Sequence, residues 1–197
     1  MDLVLLQPGD TSIVGNNSWD TGGSLISKDP WGSTALDEGL SSFGFNPENC
    51  IELVSIHQGM KQQMTTDVSN SARTSGRPII TEFTCVKYVD QSSVKLYDLC
   101  LRAKPMDTDK AKPTSLFVLR NSGENMVNII SMQLRLAMVS EIQFQTNPDD
   151  MPTEQFKLSF TEVLWKYTVQ LANTSPAGVI PAGWSLARNR PISAFTD

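Results

Sequence analysis

Histidine is almost missing: His57 is the single one in 197 residues. A serine–histidine–aspartate site would have that side chain alone to work with, and a histidine-rich metal centre cannot be built within one chain. Cysteine is scarce too. Cys50, Cys85 and Cys100 are an odd number without C-x-x-C spacing, which argues against a disulfide framework or a thiolate zinc site and reads as reduced thiols in a protein made in the cytoplasm. Positive charge is in short supply, with 16 Lys plus Arg against 21 Asp plus Glu and a formal net charge of -5. That lacks the basic footprint of a nucleic-acid binder. No apolar run reaches the roughly 18 residues of a membrane-spanning helix, so membrane insertion is not expected. The opening Met1-Asp2-Leu3-Val4-Leu5-Leu6-Gln7-Pro8 has no basic region and is too short in apolar residues for a secretory signal. Hydrophobic residues still make up 40% of the chain, enough for a core, and the length suits one domain spanning 1–197.

What is present reads mainly as β-structure. Asp2 to Gln7 is a short strand stopped by Pro8-Gly9-Asp10. A long loop insertion follows at about 11–48, dense in turn formers such as Gly15, Asn16, Asn17, Gly22, Gly23 and Pro30. It also holds Trp19, Trp31, Phe43 and Phe45, so it reads either as an ordered excursion packed by its own aromatics or as a tolerated surface insertion. Ile51, Leu53, Val54 and Ile56 interleave with Glu52, Ser55 and His57 in a strand-like pattern. Lys61 to Arg77 is polar apart from Met64 and Val68, a second long loop or a loose hairpin. Ile79 to Val89 is rich in β-branched and aromatic residues and reads as one strand.

The period then changes. Val94, Tyr97 and Leu101 fall at helical spacing with Leu96 and Cys100 beside them; Asp90, Ser92 or Ser93 can cap the start, and Pro105 limits continuation. This predicts a helix over Ser93 to Ala103. Ser115 to Arg120 is a strand, and Asn121-Ser122-Gly123-Glu124-Asn125 has hairpin chemistry. Ile130, Met132, Leu134 and Leu136 alternate with polar residues, as do Ile142 and Phe144, which predicts antiparallel strands with one buried face. Phe156, Leu158 and Phe160 continue the alternation, but Val163, Trp165, Tyr167, Val169 and Leu171 have the opposite parity, so the stretch reads as a strand pair or one bent strand, with a β-bulge predicted at Thr161-Glu162 that bends it as a barrel corner requires. Ala172 to Ala182 reads as a loop, and Gly183 to Leu186 as a last short strand. About seven or eight sequential strands and one helix make an antiparallel barrel or sandwich, with the helix covering one end or side.

From Ile51 to Leu101 the order of elements becomes recognisable: Ile51-Glu52-Leu53-Val54-Ser55, a polar loop with Asp67-Val68-Ser69-Asn70 and Arg73-Thr74-Ser75-Gly76-Arg77-Pro78, then Glu82-Phe83-Thr84 and Lys87-Tyr88-Val89-Asp90. With Ser92-Ser93-Val94-Lys95-Leu96, this resembles the Hcp family, the tube protein of bacterial type VI secretion systems, whose pattern is a Lys, an Asp, then a Ser and a Leu opening the helix. Pro152 to Phe160, Trp165 and Tyr167 resemble the family's late strands, and Gly183-Trp184 with Asn189 its closing element. The likeness covers roughly Cys50 to Asn189 and the first strand; the 11–48 segment departs from it.

The resemblance implies an antiparallel β-barrel with one flanking α-helix, assembling with itself into hexameric rings that stack into a tube. It implies a contractile sheath around the tube, a baseplate, a spike protein at the tip and secreted effectors as partners. It also implies release through the type VI apparatus to the extracellular space or a target cell, without a signal peptide. No cofactor, metal or catalytic residue is expected. On this reading the subunit or ring-stacking interface takes in Asp67, Ser69, Arg73, Thr74, Ser75 and Gly76, against the plainer reading of a solvated hairpin. Two alternatives use the same fold: a tail tube protein of a related phage-like contractile particle, and a specialised variant whose 11–48 insertion binds cargo.

The remaining reactive-looking residues favour plain readings. His57 has no assignable nucleophile or orienting partner. Cys85 on a strand and Cys100 on the helix read as small hydrophobes. Asp149, Asp150 and Glu154 could form a carboxylate cluster, but the calcium-loop spacing is absent and a solvated acidic turn is expected. Met132 and Met138 read as core filling, and Trp165 and Tyr167 as core or interface aromatics.

Overall fold

In the computed structural model, residues 2–14, 44–46, 49–67, 72–107, 109–121, 126–148, 150–170 and 176–196 are described. In chain order the strands are β1 (Asp2–Gln7), β2 (Ile51–Leu53), β3 (Ser55–His57), β4 (Met60–Lys61), β5 (Met64–Asp67), β6 (Ala72–Ser75), β7 (Ile79–Ile80) and β8 (Phe83–Tyr88). A helix, α1 (Ser93–Arg102), comes next, then β9 (Thr114–Asn121), β10 (Met126–Arg135), β11 (Met138–Gln145), β12 (Thr153–Ser159), β13 (Glu162–Gln170), β14 (Pro176–Ser185) and β15 (Arg190–Pro191). The protein is mainly β, with antiparallel strands and this one α-helix among the described residues.

Seven strands form one sheet in the order β15-β14-β13-β10-β9-β1-β2, and four form another in the order β11-β12-β8-β3. The chain passes between them at four places: Val54 between β2 and β3, α1 and the segment after it between β8 and β9, Leu136-Ala137 between β10 and β11, and Phe160-Thr161 between β12 and β13. The sheets therefore fold around one core without a ladder closing them among the described residues. The inner faces supply Leu6, Leu116, Leu134, Phe83, Phe156 and Leu158, all buried, and Leu96 of α1 closes the space between them. The long sheet is apolar on its other face as well. There Leu5 and Phe117 are buried, and Phe45 meets Phe117 edge to face with ring centroids 5.0 Å apart. Adjacent residues such as Leu5 and Leu6 are buried on opposite faces, as a two-sided strand requires.

Several expectations change. The parity flip at Thr161 is a corner between a pair of strands, without a bulge inside one bent strand: β12 ends in the short sheet and β13 begins in the long one. Thr161 N–H donates to Arg135 O (3.0 Å) and Leu186 N–H to Thr161 O (2.9 Å), which ties that corner to its neighbours. The segment expected as a loop over 172–182 is in its described part the strand β14, paired with β13 from Gln170↔Pro176 to Glu162↔Ser185. Its prolines are tolerated because β14 is nearly an edge strand, meeting β15 only at Trp184 and Ser185. The strand expected over Ile79 to Val89 is interrupted at Thr81-Glu82. Of the insertion's aromatics, Trp19, Trp31 and Phe43 lie outside the described residues, and Phe45 packs on the sheet.

The helix has the expected position but a different rotation. Val94 and Leu101, two members of the apolar stripe, are 71% and 88% exposed, while Ser93 and Leu96 are buried. The reason lies in the residues that hold α1. Ala103 ends it in the left-handed region (φ 51), its N–H reaching back to Cys100 O.

Candidate assembly interface

Two buried polar clusters set the frame on which the surfaces are mounted. Lys87, on β8, is fully buried, and Glu154 lies opposite it on β12. The Lys87 Nζ stands 3.0 Å from Glu154 Oε1 and 2.9 Å from Asp90 Oδ1, and donates to Tyr88 O. Ser93 Oγ donates to Glu154 Oε1 (2.9 Å) and accepts from the Asp90 N–H, while Tyr97 donates its hydroxyl to Glu154 Oε2 (2.7 Å). Burial, together with its bond to the Glu154 carboxylate and that carboxylate's charge, pushes the Tyr97 phenol up to about 12. These bonds pull Ser93 and Tyr97 inward and so turn Val94 and Leu101 to the surface. Glu154 is thus an internal anchor, not part of an acidic surface cluster with Asp150. Asp149 lies outside the described residues.

The second cluster is centred on Asp107, fully buried in the segment between α1 and β9. Its carboxylate accepts from Arg135 Nη1 (2.6 Å), Leu136 N–H (2.9 Å) and Ala137 N–H (2.7 Å). Leu136 sits at φ 49, a region non-glycine residues seldom enter. Asp107 therefore pins a strained corner between the sheets. Nothing in the sequence beyond an Asp next to a turn marks this role.

The surface feature that stands out is a two-stranded arm. β3 and β8 run antiparallel with His57↔Thr84, so the chain leaves and re-enters the short sheet at its Phe83 end. Between them β4 pairs with β7, Met60↔Ile80, and β5 with β6, Met64↔Ser75 to Asp67↔Ala72. Gly59 N–H donates to the Thr81 hydroxyl (2.8 Å) and Gly76 N–H to Gln63 O (3.0 Å), joining the two ladders into one ribbon. From residue 60 to residue 67 it spans roughly 25 Å at the usual strand rise. Residues 60–64 are all exposed whatever their parity, so that stretch of ribbon packs on nothing with either face. Arg77 at its base donates to Leu186 O (2.6 Å), beside a groove of about 280 Å³ lined by Ile79, Ile80 and Trp184.

The residues expected at an interface mostly lie here. Asp67 is on β5, Arg73, Thr74 and Ser75 on β6, and Gly76 follows directly. Ser69 lies outside the described residues. Sequence reading missed Met60 and Ile79, both exposed on the same ribbon; the signal was two apolar residues flanking a polar stretch. Of the remaining candidates, His57 is exposed at the end of β3, Cys50 and Cys85 are buried, and Met132 fills core as expected. No group of metal-ligating side chains occurs among the described residues, and none of their helices is long and apolar enough to cross a membrane.

The described residues thus form a β-rich body with two buried polar clusters and a self-paired arm. The family model described as "Type VI secretion system effector, Hcp" matches residues 41–167, more than half of the chain. The chain belongs to the Hcp family of type VI secretion proteins. A solved structure described as a type six secretion system protein is similar at TM-score 0.70 and 19% identity, covering 98% of this chain and 100% of that one. Hcp1 from Salmonella typhimurium gives TM-score 0.63 at 19% identity, covering 97% and 99%. Hcp1 from the E. coli EAEC 042 pathovar, as a double variant, gives 0.57 at 18%, covering 94% and 97%. At these identities the likeness speaks to the fold. No curated protein matches the sequence.

Proposed function

We propose that this protein is a structural subunit of the type VI inner tube, without catalysis, forming hexameric rings that stack and are driven outward by sheath contraction. The partners on this reading are further copies of itself, the spike at the tip, the sheath, the baseplate and secreted effectors. The observation that carries the proposal, beside family membership, is the arm. An isolated two-stranded ribbon is marginal in water, and its free edges invite pairing, so a ribbon whose residues 60–64 are exposed on both faces is best understood as waiting for a neighbour. Asp67, Ser69, Arg73, Thr74, Ser75 and Gly76 are its proposed contact residues. The formal charge of -5 repeats in every copy, so assembly depends on local charge pairing and responds to salt.

Negative-stain electron microscopy with light scattering tests this directly. Six-fold rings or stacked tubes are the expected result. Monomers alone, at high concentration and across salt conditions, would overturn it. A second reading gives the 11–48 insertion a cargo role, because Phe45 fastens one root of it to Phe117 of the sheet while the segment departs from the family pattern. Deleting residues 15–43 tests that reading, and unchanged effector recovery would remove the role. The phage-particle alternative is separated by neighbouring genes: secretion baseplate and ATPase genes, or capsid and terminase genes.

A further inference from the structure

A polar cleft of about 310 Å³ opens on the face of the long sheet that carries Leu5 and Phe117, at the end where Gly9 meets Asp107. Its floor is a row of three side chains. Gln7, Ser115 and Gln133 stand in register on β1, β9 and β10, and Ser115 is 3% exposed. One wall is formed from Gly44, Asn46 and Asn49, and the other runs through Gly9 and Lys112. A Cβ on Gly9 would stand 2.1 Å from Lys112 O, so glycine there lets the two segments touch. Asp10 N–H donates to Met106 O (2.7 Å) and Lys112 N–H to Asp109 O (3.0 Å). That wall is therefore tied down on both of its segments, and the cleft is preformed.

The floor already shows what it can read. Gln7 Nε2 donates to Gly44 O (2.9 Å) and Gln7 Oε1 accepts from the Asn46 N–H (2.8 Å), so one side-chain amide takes both polar groups of a peptide main chain. Gln133 offers the same donor and acceptor two strands away, a lateral distance of about 10 Å. Its amide has no hydrogen-bond partner among the described residues, and neither has the Asn49 side chain. Lys112 is the one charged side chain lining the cleft among the described residues, and it is exposed. Asp10 and Asp109 do not line it and accept from the Ser12 and Ala111 N–H groups, while Asp107 is taken up by its three donors. An amide floor with a single ammonium and no carboxylate matches a peptide main chain that ends in negative charge. The volume lies at the small end of ligand pockets, which run from roughly 300 to 1,000 Å³, and so suits a chain end better than a continuous segment.

We propose that this cleft binds the free C-terminus of a partner polypeptide, Lys112 pairing with the terminal carboxylate and Gln133 with the last peptide group, over the Ser115 hydroxyl. Capture of a chain end by an ammonium and a few fixed amides is a recurring mode of peptide recognition. The inference does not rest on the tube reading, because none of these residues belongs to the arm.

Isothermal titration of the full chain at low salt tests this, with N-acetyl-trialanine carrying a free carboxylate as the probe. The same peptide as its C-terminal amide should bind about tenfold or more weakly, because the charge-assisted bond is lost. That comparison uses the parent protein and needs no variant to fold. Lys112→Ala and Gln133→Ala should each weaken binding of the free peptide roughly three- to tenfold, in proteins that melt like the parent. Lys95→Ala, at an exposed position of α1, should bind like the parent. No binding of the free peptide at millimolar concentration, equal binding of the amide, or the same loss in Lys95→Ala as in Lys112→Ala would each overturn the proposal. Acetate binding as tightly as the peptide would reduce the cleft to a site for any carboxylate and overturn the assignment to a polypeptide. Ring formation by the same preparations is read separately by electron microscopy, so failure of this site and failure of the tube reading are distinct results.

Discussion

Replacing Asp107 with Ala removes the acceptor for three donors at once: the Arg135 guanidinium and the Leu136 and Ala137 N–H groups. Breaking a buried ion pair by removing one partner costs about 3–5 kcal/mol, because the remaining charge stays desolvated. The Arg135 side chain is about one-tenth exposed, so little water reaches it in compensation. Leu136 would also keep its positive φ without the bond that holds it there. We expect a loss of about 3–5 kcal/mol, a large part of the 5–15 kcal/mol available to a domain. At about 2–4 °C per kcal/mol for a chain this long, Tm falls by roughly 6–20 °C. Asp107→Asn is expected to be no milder than about the same figure, because its amide nitrogen must face one of the three donors. Urea unfolding followed by circular dichroism, at matched concentration and assembly state, reads both losses. A loss below about 1 kcal/mol for either variant would refute the claim that Asp107 pins the corner.

Lys87→Met should cost about 3–5 kcal/mol by leaving Glu154 buried without its cation, and adding Glu154→Leu should recover part of that loss; chemical denaturation of the two variants decides. Burial pushes the Cys50 and Cys85 thiols up, so a thiol reagent should label Cys100 quickly in the folded protein and all three only after unfolding; three fast thiols would contradict this. Burial pushes Glu162 up, but bonds from the Thr196 hydroxyl and N–H and from Ser185, with the Arg188 charge, outweigh it and hold the carboxyl below its usual 4.5. A depressed carboxylate stabilises above that value and loses its contribution as pH falls below it. The protection factor of the Thr196 amide, measured by hydrogen exchange, should therefore drop below pH 4.5 and drop at neutral pH in Glu162→Gln.

Period and turn chemistry made the fold legible where one rule governed locally. The alternation of Ile130 to Leu136 and of Phe156 to Phe160 reports strands with one face on a core, and that is where those residues lie. It failed where two rules competed. Pro176 and Pro181 read as loop because proline cannot donate, yet an edge strand needs no donor on its free side. Val94 and Leu101 read as a buried stripe because helical spacing cannot tell which face meets the core. That choice belongs to Glu154, distant in sequence, through its bonds to Ser93 and Tyr97. Asp107 was invisible for the same reason: its partners are Arg135 to Ala137, and no local pattern announces a carboxylate that serves a distant corner.

The residues that make the family recognisable are therefore mostly not the ones on the arm. Lys87, Asp90, Ser93 and Leu96 lie at the buried junction of β8, β12 and α1, where Lys87 and Glu154 have no exposure to give up. A motif of that kind travels with the fold because each member satisfies another, and losing one leaves a buried charge unmatched. The arm obeys no such constraint. Residues 60–64 are all exposed, so none of them is fixed by a buried partner within the chain. On the tube reading proposed above, the frame specifies how a copy is built and the arm specifies which neighbour it meets. That division predicts an asymmetry. Exchanging the outer arm, residues 60–76, for that of another family member should leave folding stability within about 1 kcal/mol, because the exchange leaves Ile80, which packs against the core, in place. On the proposed tube reading it should nevertheless abolish stacking on the parent. Melting curves of the chimaera and its co-assembly with the parent measure the two halves separately, and a chimaera with a foreign arm that still stacks on the parent would show that the arm does not choose its neighbour.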